Sequence, residues 1–187
     1  DSINAAKAKL IYLVFEEFEK QLAGVAERNH WTREKKSNWY EYKEQADEFF
    51  YKWNTTYPGI NYIVKDAPMP DGKQLWFRVE VEHRLFAGFC VFDPNAESEE
   101  GHGDQVDEYD RETEKAVGHY LNISVEDHKD WWYLPAGEQK PNDSVPNFKI
   151  MNDAAIALAD KECRSEFVSL CVRNIEEMVE RVLAIPE

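Results

Sequence analysis

Asp71, Glu80 and Glu82 are the residues whose types and spacing come closest to a reaction centre. A phosphodiesterase working through Mg²⁺ needs carboxylates that converge on one hard cation, which takes oxygen ligands and activates water for attack. Pro70-Asp71 supplies one acid. Glu80-Val81-Glu82 supplies two more on one face of a strand, about 6.6 Å apart along it at the usual rise per residue. The lysine that would orient or deprotonate the attacking water belongs two residues after the first glutamate, but Glu82 stands there, followed by His83. The set is incomplete. Its simpler reading makes Arg78, Glu80 and Glu82 the solvated face of an edge strand, with charge pairs to their neighbours.

Other chemistry is thinner. His30, His83, His102, His119 and His128 show neither the i, i+4 pairing nor the cysteine company of a metal site. Cys90, Cys163 and Cys171 are an odd set without ligand spacing, and read as buried thiols of a reducing compartment. No nucleophile motif or glycine-rich phosphate loop is present. No metal or other cofactor is expected.

The elements that would position these residues follow from periodicity. Ile11, Val14, Phe15, Phe18, Leu22 and Val25 step by three and four, which predicts an amphipathic helix over 3–25. Thr32 can cap a second helix carrying Trp39, Tyr42, Ala46, Phe49 and Trp53, packed antiparallel on the first. The period then drops to two. Ile60–Lys65 reads as a short strand and 67–72 as a turn. In Leu75–Glu82 the apolar side is Leu75, Phe77, Val79 and Val81, and the wet side is Trp76, Arg78, Glu80 and Glu82. Leu85–Phe92 is apolar on both faces and completes a hairpin.

Residues 93–114 hold ten acids and one base, nine of the fifteen net negative charges, so a mobile acidic loop is expected at about 94–103 and a helix from near Asp104. Calcium-loop spacing is broken there, and the glycines at 101 and 103 oppose rigid imitation of a phosphate backbone. Trp131–Leu134 is a further strand and 135–147 a loop. Asn152 and Asp160 are caps for two closing helices, the last with Phe167, Leu170, Cys171, Ile175, Met178, Val182 and Leu183 on one stripe. The order lacks regular βαβ alternation, so the fold class is α+β: an antiparallel β-sheet with helices packed on one face, residues 1–187 forming a single domain.

Composition narrows the class of function. The 187 residues carry 37 acids against 22 bases, a net charge of -15, which opposes a protein that coats nucleic acid. Arg33, Lys35, Lys36 and Lys43 are the local exception, and direct nucleic-acid binding is not expected. No apolar run is long enough to span a bilayer and no secretory signal is visible at the start, so the expected setting is cytoplasmic, without a membrane partner. With 10 Phe, 9 Tyr and 6 Trp, the aromatic groups exceed what one helix stripe or strand face hides. Tyr40, Tyr51 and Trp132 fall off the buried stripe, and a surface cluster of aromatics is a common anchor for a protein partner.

Tyr57-Pro58-Gly59-Ile60-Asn61-Tyr62, Leu75-Trp76-Phe77-Arg78-Val79-Glu80-Val81 and Arg84-Leu85-Phe86-Ala87-Gly88-Phe89-Cys90 resemble the C-terminal part of bacterial PD-(D/E)XK nuclease-superfamily proteins, where such a hairpin follows a pair of helices. The resemblance implies an accessory portion whose catalytic motif lies upstream, and no catalytic residue transfers to this chain. Asp1 leads straight into a helix without a methionine, as in a fragment of a longer protein. The expected function is a non-catalytic accessory or protein-interaction domain of a bacterial or phage-related protein. Trp76, Arg78, Trp131 and Trp132 would contact a protein partner or an adjacent catalytic domain. The alternatives are a degenerate metal-dependent nuclease using Asp71, Glu80 and Glu82, and an acidic inhibitor that mimics nucleic acid.

Overall fold

The computed structural model describes residues 2–35, 41–46, 57–64, 72–95, 104–105, 131–135 and 142–184. Among these, six antiparallel strands form one sheet and four helices accompany it. In chain order the elements are α1 (Ser2–Asn29), β1 (Trp31–Glu34), α2 (Tyr42–Gln45), β2 (Gly59–Val64), β3 (Gln74–Val81), β4 (Leu85–Asp93), β5 (Asp104–Gln105), β6 (Trp131–Tyr133), α3 (Asp153–Ala157) and α4 (Lys161–Leu183). Strands β1 to β5 lie side by side in sequence order, and β6 also pairs with β4.

Helix α1 forms where the three-and-four spacing predicts it, burying Ile11, Val14, Phe15, Phe18 and Leu22 completely. It stops at His30, whose φ of 61° places it in the left-handed region that ends helices. Helix α4 lies beside it and runs the same way. Gln21 Nε2 donates to the Ser165 carbonyl at 3.0 Å, and further along Arg28 and Asn29 both donate to Glu176. The predicted caps are present: Asn152 Oδ1 accepts from Ala155 N at 3.0 Å, and Asp160 Oδ1 accepts from Cys163 N at 2.9 Å. The α4 stripe is wider than predicted, with Val168, Val172 and Val179 joining Cys171, Ile175, Met178 and Val182 inside and Phe167 and Leu183 packed against the core, while Leu170 is exposed.

The predicted hairpin is β3 and β4, in register from Gln74↔Phe92 to Val81↔Leu85. One sheet face, carrying Ile60, Tyr62, Val64, Leu75, Phe77, Val79, Val81, Leu85, Ala87, Phe89 and Trp132, shares a core with α1 and α4. The other face has its own small core of Trp76, Cys90 and Phe92, with Ile63 packed against it.

Two expectations need correction, and a third falls mostly outside the described residues. Thr32 caps no helix: it sits in β1, paired with Ile63, because Trp31 and Arg33 turn inward against the sheet and helix α1. Only the single turn α2 of the expected second helix is described; Trp39, Phe49 and Trp53 lie outside the described residues. Asp104 opens no helix but belongs to β5, opposite Asp93. Residues 96–103 of the expected mobile loop and 106–114 of that acidic segment also lie outside the described residues.

Candidate docking face and its buried ion pair

The largest correction concerns the strand expected to be wet on one side. Arg78 is 2% exposed and Trp76 1% exposed. A guanidinium is retained at such depth only when its donors are met, and they are: Nε donates to Glu80 Oε2 at 2.6 Å, Nη1 to Asn61 Oδ1 at 3.0 Å and Nη2 to the Tyr57 carbonyl at 2.5 Å. The register explains the meeting. Asn61 faces Arg78 across β2–β3, Gly59 faces Glu80, and at Gly59 a side chain would collide with the guanidinium. The apparently polar alternation of β3 thus holds an ion pair within the strand, its guanidinium buried and tied to β2 through Asn61, with Trp76 stacked on Phe92 at 4.1 Å on the same face. Burial pushes the Glu80 carboxyl above its ordinary range, against the opposing pull of the Arg78 charge.

This arrangement commits one of the sequence-predicted cation ligands to another partner. Glu80 is engaged by Arg78, Glu82 is exposed in the turn after β3, and Asp71 lies outside the described residues. Among the described residues, no three histidine, cysteine or acidic side chains are grouped to hold a metal ion.

The predicted partner contacts also divide. Trp132 points to the helix side, 1% exposed, packed on Phe89 at 5.4 Å and donating from Nε1 to Asn174 Oδ1 at 2.7 Å. It is a core residue, as is Trp76, whose Nε1 donates to Gln74 Oε1. Trp131 and Tyr133, one position either side of Trp132, take the opposite face by strand alternation and are half-buried. Phe86 of β4 stands opposite Tyr133 in register, and its ring meets Trp131 edge-on at 5.3 Å and Tyr133 at 6.3 Å. Gly88 makes room for the indole: a β-carbon there would lie 2.1 Å from Trp131 Cδ2. Phe86 and Tyr133 were missed because the partner of β6 cannot be read from sequence, although the alternation in Trp131-Trp132-Tyr133 already separates Trp132 from its neighbours.

The basic set is likewise committed. Glu19 of α1 receives Lys35 at 3.2 Å, Lys43 at 3.3 Å and Arg33 at 3.5 Å, and accepts a hydrogen bond from the Tyr42 hydroxyl. Arg33 also pairs with Glu41 and lies over the Tyr62 ring. Burial alone would raise the Glu19 carboxyl, but the Tyr42 hydrogen bond and the three cations outweigh it and hold it down at about 2. Burial, reinforced by Glu19, pushes the Tyr42 hydroxyl well above the ordinary phenol range. Lys36 lies outside the described residues. Among the described residues, Arg33, Lys35 and Lys43 are thus paired with acids of the same chain.

Compared with known proteins, the chain matches no family model, no curated protein and no solved structure. No helix among the described residues is long and apolar enough to cross a membrane.

Proposed function

We propose that this chain is a non-catalytic accessory domain of a PD-(D/E)XK nuclease-like protein, which presents Phe86, Trp131 and Tyr133 to a protein partner or to an adjacent catalytic domain. The observation that carries the reading is this half-buried aromatic group on the sheet face turned away from α1 and α4. Clustered aromatics fixed by a rigid sheet are the kind of anchor that dominates protein interfaces. The resemblance of the β2–β3–β4 residues to the superfamily's C-terminal part supplies the catalytic neighbour. The degenerate-nuclease alternative loses support because Glu80 would have to give up its 2.6 Å contact with the buried Arg78 guanidinium to bind a metal ion. The nucleic-acid mimic rests on an acidic stretch that falls largely outside the described residues.

The test is binding of this chain to the PD-(D/E)XK catalytic domain encoded with it, comparing wild type with Trp131→Ala/Tyr133→Ser after circular dichroism has shown that both are folded. The reading expects at least a tenfold weaker complex for the variant, on the order of 1.4 kcal/mol. Equal affinity, or no complex with wild type, contradicts it.

A further inference from the structure

We propose that the Glu19 carboxylate is a latch fastening β1 and α2 onto α1, so that removing its charge frees this edge of the sheet while the remainder of the fold stays closed. β1 is a four-residue edge strand paired on one side with β2, and α2 is a single turn, too short to persist without tertiary support. The cationic side chains of these elements and of the flanking Lys35 converge on one group. Lys35 and Arg33 reach Glu19 Oε1, while Lys43 and the Tyr42 hydroxyl reach Oε2. The other ionisable groups packed around it are Glu41, which pairs with Arg33, and Tyr62, which lies beneath Arg33; Tyr12 meets the Tyr42 ring edge-on.

Among the described residues, the apolar anchors of the same edge are Trp31, Tyr42 and Ala46. Tyr42 stacks on Phe15 at 5.4 Å, and Trp31 meets Phe77 edge-on at 4.9 Å. Trp31 adds a cost as well, since its indole N–H is buried without a hydrogen-bond partner. By contrast β3 and β4 are held by eight paired positions in the middle of the sheet and by cores on both faces. The latch also has a handle for solvent, because the Lys35 and Lys43 side chains are 54% and 44% exposed. Ions therefore reach and screen it more readily than the buried Arg78–Glu80 pair. Opening uncovers the outer edge of β2 and releases Arg33, Lys35 and Lys43 as a cationic cluster in an otherwise acidic protein.

Hydrogen exchange on the full chain, read at residues 32–35 and 42–46 against β3 and β4, tests the latch in wild type and Glu19→Gln. Glu176→Gln, which removes only the α1–α4 ties from Arg28 and Asn29, is the control. At low salt Glu19→Gln is expected to exchange roughly tenfold faster or more at these two sites with β3 and β4 unchanged, and Glu176→Gln to leave the two sites as in wild type. Wild type in about 1 M salt, where the screening length falls to about 3 Å, is expected to move toward the Glu19→Gln pattern. Unchanged protection in Glu19→Gln, or a uniform loss shared with β3 and β4, overturns the proposal. If Glu19→Gln does not fold, the wild-type salt series decides, and protection independent of salt overturns it.

Discussion

Arg78 occupies the space that a side chain at Gly59 would need: a β-carbon there would stand 2.6 Å from Arg78 Cζ and 2.5 Å from the Val79 carbonyl oxygen. The obstruction is partly backbone, so it does not relax by a rotamer change. Gly59→Ala is expected to destabilise the fold by about 1–3 kcal/mol through overpacking. Its urea midpoint, measured beside that of wild type, checks this, and an unchanged midpoint would show that β2 can shift away from the guanidinium.

The Arg78–Glu80 pair should behave as a buried ion pair and not as surface decoration. Arg78→Ala removes the cation beside Glu80 and the hydrogen bonds to Asn61 and the Tyr57 carbonyl, with an expected loss of about 3–5 kcal/mol. Replacing both partners by apolar residues, Arg78→Met with Glu80→Leu, is expected to recover much of that loss. Denaturant unfolding of wild type, single and double variants measures the difference; a loss below about 1 kcal/mol for Arg78→Ala would place the pair in solvent.

Gly88 and Trp131 should be coupled across β4–β6. Gly88→Ala forces a β-carbon into the indole, and is expected to destabilise the protein and alter tryptophan emission as the ring is displaced. In a Trp131→Ala background the same substitution should cost markedly less. A double-mutant cycle measures this coupling, and additive effects would mean that the indole does not rest on Gly88.

Acid should loosen the Glu19 network. The folded carboxyl is held at about 2, below its ordinary 4.5, so its contribution is fully present above that ordinary value and fades as pH falls through the window toward 2. Allowing for its partial solvent exposure, about 1–2 kcal/mol of stability should be lost over this range. Comparing pH-dependent unfolding of wild type and Glu19→Gln isolates it: the wild-type advantage should shrink on acidification, and an advantage independent of pH would contradict the linkage. Glu80 has the opposite sign, since its raised carboxyl favours the folded state below the ordinary carboxylate value and that contribution is lost as pH rises above this value through the raised one.

Much of this architecture was legible because its periodicities are strong. The α1 stripe, the β3–β4 hairpin and the Asn152 and Asp160 caps depend on residues close in sequence. What was hidden depends on partners far apart. Arg78 and Glu80 read as a wet face because alternation of charged residues looks the same whether they face water or each other, and only the pairing of β3 with β2 brings Asn61 and the Tyr57 carbonyl to the guanidinium. Thr32 read as a helix cap because its pairing with Ile63 spans a long stretch of chain. Trp132 and Trp131 are adjacent in sequence, yet the sheet sends one into the helix-side core and leaves the other half-buried on the opposite face.

Calorimetric titration of Mn²⁺ into the intact protein at low ionic strength, with wild type and Glu80→Gln, addresses the support role of this face most directly. With Glu80 committed to Arg78, both proteins should give the same heats, without any binding event that depends on Glu80. A one-to-one Mn²⁺ complex present in wild type and lost in Glu80→Gln would make the glutamate a metal ligand and contradict the account.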